Sequence, residues 1–405
     1  MKIELHLLQN FAPSNLNRDD TGAPKDCEFG GYRRARISSQ CQKRAVRDVF
    51  RVAKTVDADS LGARTKRLVL KIAEMLVSEH GHERDAALAL AMGAIEGVGL
   101  GRNKKGVGDD GYKTEYLLFV PGRIVRALAD VLHANRDELS GLMEKPQVAE
   151  AAPAEGAKKV KKDPKKDKKD AKAAYPKEVR DAVEALLEGA QKTVDISLFG
   201  RMIADKADWN IDAACQVAQA ISTNRVQMDF DFFTAVDDFK PKDTAGSDMM
   251  GTILFNSSCF YRYAVLDVDA LRSNLDGGDE LLGTSVDAFV RAFIAAIPTG
   301  KQNGMAAHNF PSYALAVVRE SGQSISLANA FLKPARPRGE DVDLVDDSIQ
   351  KLEAYAECLK DPIGPATLLT WADRKLEAGD GRLRRAAGLE AFYTEISRLA
   401  AGAVP

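Results

Sequence analysis

The 405-residue sequence predicts an α+β fold, a small sheet backed by helices and interrupted by a long helical insertion. Three observations predict it. The opening MKIELHLLQN alternates so that Ile3, Leu5 and Leu7 share one face, which is the period of a strand. An amphipathic helix follows from about residue 38. Far along the chain, FYRYAVLDVD, SVDAFVRAFIAAIP and SYALAVVRES read as strand, helix and strand. With the helical block set aside, the order of elements is that of an RRM-like (ferredoxin-like) sandwich.

Composition narrows the function classes. The chain is 45% hydrophobic and 29% charged, with a formal net charge of -2. No apolar run reaches the ~18 residues of a membrane span. The N-terminus lacks the apolar core of a signal peptide, so a cytoplasmic location is expected. Five scattered cysteines without C-x-x-C spacing argue against a disulfide framework and a structural zinc site. A near-neutral chain has no uniformly basic surface. A nucleic-acid partner would need a local basic stripe.

One such stripe exists. From Arg33 to Lys54 there are eight Lys or Arg and one acid, Asp48. Before it, NFAPSNLNRDDTGAPKDCEFGG reads as a long polar loop. Ser38 or Ser39 caps the helix, with Cys41, Ala45, Val46, Val49, Phe50 and Ala53 on the apolar side. Gln40, Lys43, Arg44, Arg47 and Arg51 recur on the other. A helix N-terminus offers free N–H groups and positive potential, so this end suits a run of phosphates. Gly30 and Gly31 are expected to let the backbone approach the ligand closely, and Arg33, Arg34 and Arg36 to add charge.

Residues 57 to 190 carry helical periodicity in three segments, with a polar break before the apolar run YLLFVP. Residues 149–177 are Lys-rich and nearly without large apolar side chains, so disorder is expected there. TVDISLFGRMI reads as a short strand and turn. The stretch from NRVQMDFDFFTAVDD to the buried strand FYRYAVLDVD reads as a long β-hairpin turning within KPKDTAGSD. Alternation puts Phe230 and Phe232 on one face and Asp229, Asp231 and Phe233 on the other. Either these aromatics are core, or the hairpin protrudes and they stack on bases. Ser285 is placed as a helix cap, and the chain after about residue 340 is expected to be helical.

Other motifs point nowhere firm. The loop carboxylates Asp19, Asp20 and Asp26 do not make a metal-ligand set, because no His joins them and Arg and Lys interleave them. Asx-turns and salt bridges are their expected use. GVGLGRNKKGVG follows a helical pattern and matches no nucleotide-binding loop. His80-Gly-His82 reads as a surface turn. No cofactor, no metal and no catalytic residue is expected.

Three motifs together carry a family resemblance. NLNRDDTGAPKDCEFGGYRRARISSQCQKRAVR, DISLFGRM at 195–202, and DFFTAVDD at 231–238 followed by GTILFNSSCFYRYA resemble the CasC-type backbone subunit of the type I-E CRISPR Cascade complex, a crRNA-binding family with an RRM-like fold. The resemblance runs from residue 1 to about 335. It implies a hand-like subunit without nuclease activity: palm at 1–56, helical fingers at 57–193, palm return at 194–220, thumb hairpin at 221–257, palm again at 258–335, and a C-terminal helical segment at 336–405.

The resemblance also implies roles. Arg18, Lys25, Ser38, Gln40, Lys43, Arg44 and Arg47 would grip the RNA backbone, and Lys301 would add a loop contact. Met202 and the thumb residues Phe232, Phe233 and Thr234 would sit beside a flipped nucleotide. Some relatives carry Trp at the position of Phe232. The implied partners are crRNA, further copies of the chain in a head-to-tail filament, the other Cascade subunits, target DNA and a recruited helicase-nuclease. The Lys-rich insert reads either as an arm drawing in target DNA through Lys161, Lys162, Lys165 and Lys166, or as a solubilising linker. A metal-dependent ribonuclease using a carboxylate of the 17–28 loop is the alternative function.

Overall fold

The structure is a computed structural model. It describes residues 1–101, 103, 106–139, 141, 175–189, 193–203, 206–235, 237–239, 249–276, 279–376 and 382–402. The Lys-rich lysines and the turn of the long hairpin lie outside these residues.

The chain forms two units. The first begins with β1 (Lys2–Ser14), β2 (Asp26–Phe29), β3 (Tyr32–Ile37) and α1 (Ser39–Val52). The second holds β4 (Gly62–Thr65), α2 (Leu68–His80), α3 (Arg84–Gly97), β5 (Leu118–Pro121), α4 (Gly122–Ala134), α5 (Lys177–Glu188) and α6 (Val194–Phe199). The first unit then resumes with β6 (Cys215–Val217), β7 (Ala220–Ser222), β8 (Asp229–Ala235), β9 (Met249–Asp267) and α7 (Asp279–Ala295). It ends with β10 (Tyr313–Arg319), α8 (Leu344–Cys358), β11 (Thr367–Ala372), β12 (Leu383–Arg385) and α9 (Leu389–Ala401).

In the first unit β1 pairs antiparallel with β9 on one side and β10 on the other. β6 and β7 pair with the far edge of β9. Spatial order β10-β1-β9-β7, with α1 and α7 as the two crossovers, is the ferredoxin-like arrangement that the element order predicts. Two extensions widen it. The β3–β2 hairpin joins beyond β7, and β11 with β12 joins beyond β10.

Both faces of the sheet are covered, because β1 is apolar or hydrogen-bonded on both. Ile3, Leu5, Leu7 and Gln9 form the face under α1 and α7. Arg262, opposite Leu7, donates there to Gln9 Oε1 (2.6 Å), to Phe293 O of α7 (2.6 Å) and to Gln42 Oε1 of α1 (3.4 Å). Burial pushes its guanidinium down to about 9, and it still carries a charge at neutral pH.

The second face holds Leu8, Tyr261, Tyr263, Tyr313 and Leu315, which pack against Phe331 and against Ile349 and Leu352 of α8. Glu4 lies here too. It pairs with Arg319 (2.6 Å) and accepts from the Tyr263 hydroxyl and Ile325 N–H, each at 2.8 Å. His6 meets the Tyr261 hydroxyl at 2.8 Å. That hydroxyl also accepts from Leu327 N–H at 3.0 Å, which ties β9 to the segment that covers this face.

The second unit is helical around one core that includes Leu76, Leu90, Ile95, Leu128, Leu132, Val183 and Trp209. The three helical segments expected between residues 57 and 190 are present as α2, α3 and α4, with α5 after them. LGART, read as helical, is instead strand β4, paired with the YLLFVP run.

Other corrections share a physical cause: local pattern is too short to choose. DISLF is helix α6, not strand, ended by Gly200 at φ +79°. Residues 194–213, read as palm return, belong to the second unit. Ser285 lies inside α7, not at its start, with its hydroxyl donating to Leu281 O (2.6 Å). Residues 336–405 are not wholly helical, since β11 and β12 extend the sheet. His80 and His82 are more than a turn. His80 meets Asp130 (2.9 Å), His82 meets His133 (2.9 Å), and the rings of His80 and His133 stack.

His6 makes acid stability testable. Burial, then the nearby Arg319 charge, pushes its imidazole down to about 3. The unfolded chain takes up a proton below about pH 6.5 that the folded chain refuses. Its contribution is therefore complete above that pH and is lost as pH falls toward 3. Denaturant unfolding of wild type should lose stability relative to His6→Asn between pH 6.5 and 5.5, with a slope approaching ~1.4 kcal/mol per pH unit. Parallel pH profiles of the two proteins would exclude this assignment.

Candidate nucleic-acid interface

The interface is built on one small apolar core. Phe11 of β1, Leu16, Ala35 and Ile37 of β3, Ala220, Val226, Phe260 and Ala307 form it, with Cys41 of α1 and Met228 packed against it. Besides strand residues it takes in Leu16 of the 15–25 loop, Cys41 of the α1 N-terminus, Val226 and Met228 at the base of the long hairpin, and Ala307 of the 301 loop. The pieces are therefore held in register by burial.

Hydrogen bonds finish the placement. Ser38 caps α1, its hydroxyl accepting from Cys41 N–H (3.3 Å), and its own N–H donates to Asn17 Oδ1 (2.8 Å). The Asn17 carbonyl accepts from Lys25 N–H (2.8 Å), and the Lys25 carbonyl from Arg36 N–H (2.9 Å). Arg18 and Pro24 bridge the same loop. Lys25 and Ser38 thus lie on opposite sides of Asn17. Lys301 has a left-handed backbone (φ 52°) on a loop that rests against residue 16. A Cβ on Gly300 would lie 2.3 Å from the Leu16 carbonyl oxygen. The structure brings Arg18, Lys25, Ser38, Gln40 and Lys301 around one core.

Helix α1 buries Gln42, Ala45, Val46 and Phe50. Gln40 and Arg44 are exposed, and Lys43 and Arg47 are half-buried on the same outward side. No acid lies in the first turn. Asp48 pairs with Arg44 (3.7 Å) and Arg51 (3.6 Å), toward the far end. Positive potential is thereby weighted toward the capped end.

Three expectations about this block change. Gly30 and Gly31 form the two-residue turn of the β2–β3 hairpin, both at positive φ (63° and 77°), instead of a ligand approach. The supposed loop is partly strand, since β1 runs to Ser14 and β2 starts at Asp26. Arg34 is fully buried and donates to the carbonyls of Ser222 (3.0 Å), Thr223 (2.7 Å) and Phe331 (2.5 Å). Arg33 pairs with Asp26, and Arg36 donates to the Asp26 carbonyl (3.1 Å) and to Gln219. These arginines brace the hairpin.

Two of the loop carboxylates are engaged, Asp26 with Arg33 and Asp19 in a turn. Asp19 Oδ1 accepts from the N–H groups of Thr21 and Ala23, each at 2.9 Å, and from the Thr21 hydroxyl (2.8 Å). Those bonds, the Thr21 hydroxyl foremost, lower its carboxyl. Among the described residues no group of three His, Cys, Asp or Glu is arranged to hold a metal.

The long hairpin is β8 paired with β9, from Asp229↔Phe255 to Ala235↔Met249. Its register puts Phe230, Phe232 and Thr234 opposite Leu254, Thr252 and Met250. Opposed residues share a face. Phe230 is 72% and Phe232 59% exposed, with Met250 and Leu254 also exposed, so this apolar face is unpacked. Phe233 lies on the other face over Gly251, whose missing side chain leaves room for its ring. Asn15 ties the 15–25 loop to the hairpin, donating to Leu254 O and Gly22 O, each at 3.0 Å.

Met202 is 81% exposed, in the second unit, just after the buried Arg201 that donates to Trp209 O (3.0 Å). Lys161, Lys162, Lys165 and Lys166 lie outside the described residues. Sequence reasoning missed Asn15 and Met250, and gave Asn17 no role at the helix end. Polar loop residues carry no periodic signal, and Met250 shares the Phe232 face only through a register fixed by the turn.

Comparison with known proteins follows this geometry. Residues 3–391 match the family of CT1975-like proteins. The chain belongs to this CT1975-like family. No curated protein matches the sequence. Among solved structures, a chain of a "CRISPR RNA-guided surveillance complex, pre-nicking" is similar at a TM-score of 0.82 and 28% identity, over 99% of this chain and 100% of that one. A chain of a "CRISPR RNA-guided surveillance complex" matches in fold at a TM-score of 0.71 and 24% identity, over 98% and 99%. The family match spans both units and includes the 15–25 loop, α1 and the β8–β9 hairpin.

The Asn17 bond to α1 gives a structural test. Asn17→Ala removes the acceptor for Ser38 N–H and should cost about 1 kcal/mol. Amide exchange should speed up at Ser38 and Lys25 while the β1–β9 amides stay protected. Unchanged exchange at Ser38 would show that the loop does not hold the helix end.

Proposed function

We propose that this protein is a non-catalytic crRNA-binding subunit of a type I-E CRISPR surveillance complex, Cascade, that stacks head-to-tail along the guide. The observation that carries the reading is the grouping of Arg18, Lys25, Ser38, Gln40 and Lys301 around one core, at the capped end of a cationic helix. The 28% identical chain of an RNA-guided surveillance complex supports it along the whole length. The N-terminal motif and DISLFGRM support the type I-E assignment. In this reading α1 and its loop grip the RNA backbone, and Phe232, Phe233 and Thr234 of the thumb, with Met202, pack beside a displaced base.

Backbone contacts suit a guide whose sequence is read by pairing with target DNA. Heterologous contacts do not close, so RNA length would set the number of copies. The other Cascade subunits, target DNA and a helicase-nuclease are the partners this role requires, and the cytoplasm is where it would act. Among the described residues no helix is long and apolar enough to cross a membrane.

The engagement of Asp19 in a turn and Asp26 with Arg33 supports a role without cleavage. Incubating the assembled complex with complementary RNA and Mg²⁺ should leave that RNA intact. Periodic cleavage lost on Asp20→Ala would favour the ribonuclease alternative.

Replacing Lys43 and Arg47 by Ala should weaken guide RNA binding. It should also reduce the slope of log K against log salt by about 1.4, at ~0.7 per single-strand phosphate contact. An unchanged slope would put the RNA elsewhere. Phe232→Ala with Phe230→Ala should leave thermal stability within about 0.5 kcal/mol, because both rings are exposed. It should make chemical probing of the bound RNA more uniform. A probing pattern that keeps its period would exclude the thumb from base displacement.

A further inference from the structure

The second unit carries a cationic ribbon that helical periodicity hid. β4 and β5 pair in the register Arg64↔Phe119 and Thr65↔Leu118. Arg64 is exposed and lies over the Phe119 ring, 5.3 Å from its centroid. Lys66 and Leu117 continue the same alternation, and both are exposed.

The backbone beneath is fixed. Buried Thr114 donates its N–H to the Lys66 carbonyl (2.7 Å) and its hydroxyl to the Tyr116 carbonyl (2.7 Å). That joins Lys66 to the exposed Tyr116. Arg67, also exposed, donates its N–H to Thr65 Oγ1 (2.8 Å).

Arg64, Lys66 and Arg67 form no ion pair among the described residues. Of the nearby acids, Asp110 feels the Arg67 charge but is held chiefly by another partner. Asp110 pairs with Lys113 (2.5 Å), and the Glu115 carboxylate turns toward Gly101. Three like charges within four residues repel one another on a surface unless an anion lies between them. Three cations beside an exposed Tyr and Leu are the residue types that hold a phosphate backbone and its bases.

We propose that this ribbon is a second nucleic-acid contact, gripping the phosphate backbone of a strand other than the guide. The proposal rests on the RNA-guided reading only for the source of that strand, which is either single-stranded target or its flanking duplex.

The test uses the complex co-expressed with guide RNA and carries Arg64→Ala, Lys66→Ala and Arg67→Ala together. Complementary single-stranded DNA and complementary duplex DNA are titrated across a range of salt. Guide RNA retention should be unchanged. Target affinity should fall at least ~10-fold near 0.1 M salt, and the salt slope by about 2 on single strands or nearly 3 on duplex for each copy that touches the strand. Loss in both arms assigns the contact to a strand as such, and loss in the duplex arm alone assigns it to duplex.

Unchanged affinity and slope in both arms, with guide retained, would overturn the proposal. If guide RNA fails to accompany the wild-type chain, the guide-binding reading fails instead. Titration of the free chain with the same two DNAs then decides the ribbon: a smaller slope in the variant supports it and equal slopes overturn it. The variant Arg64→Lys, Lys66→Arg, Arg67→Lys should restore the slope. If the triple variant melts early, Lys66→Ala alone should still remove about 0.7–0.9 from the slope, because Lys66 is held by its backbone.

Discussion

One uninterrupted strand, Met249–Asp267, organises the first unit. Its second half pairs with β1, β6 and β7 at the centre of the sheet, and its first half pairs with β8 in the exposed hairpin. A strand is stiff, so the direction of the hairpin follows from the sheet. Burial changes along it at Asn256: the residues before are mostly exposed and those after mostly buried. The register shift on β1 between Phe11 and Ser14 lies at the same level. There β1 leaves β9, and the 15–25 loop begins. Hairpin, loop and helix end are therefore neighbours because one strand reaches past its partner.

Buried arginines hold what the strands do not. Arg34 gathers carbonyls from residues 222–224 and from 331 behind the β3 strand. Arg262 ties β1, β9, α1 and α7. A guanidinium can satisfy several carbonyls at once because its donors point outward in a plane. Burying it without an acid is costly, and its hydrogen bonds to carbonyls offset part of that cost; Arg34 Nε is buried without a partner. Counting Arg along the sequence thus overstates the charge offered to a ligand. On α1 and just after it, Arg44, Arg51 and Lys54 are exposed, with Lys43 and Arg47 half-buried.

An RRM-like sheet often presents aromatics to bases on its open face. Here Tyr261 and Tyr263 point to that face, but residues 325–331 and α8 cover it. Both tyrosine hydroxyls and the Glu4 carboxylate are engaged beneath the cover. In the proposed reading the nucleic-acid surface therefore lies elsewhere, on the loop, the α1 end and the hairpin. This use of the fold depends on the C-terminal segment, which a strand–helix count alone cannot place.

Periodicity was enough to read β1, α1, α7, β10 and the helices of the second unit, because each is long and half-buried. It was also enough to put Phe230 and Phe232 on one face, since alternation is local. The ferredoxin-like order followed from those elements. Short apolar runs such as DISLF and LGART were misread, because five residues fit either period. The strands after residue 366 were missed for the same reason. Only the tertiary structure separated Arg34 from Lys43: both are basic residues in one block, and burial against distant carbonyls is invisible to spacing. It alone put Asn17 beside Ser38 and the 301 loop against Leu16, because that proximity comes from a core assembled from residues nearly three hundred positions apart, from Phe11 to Ala307.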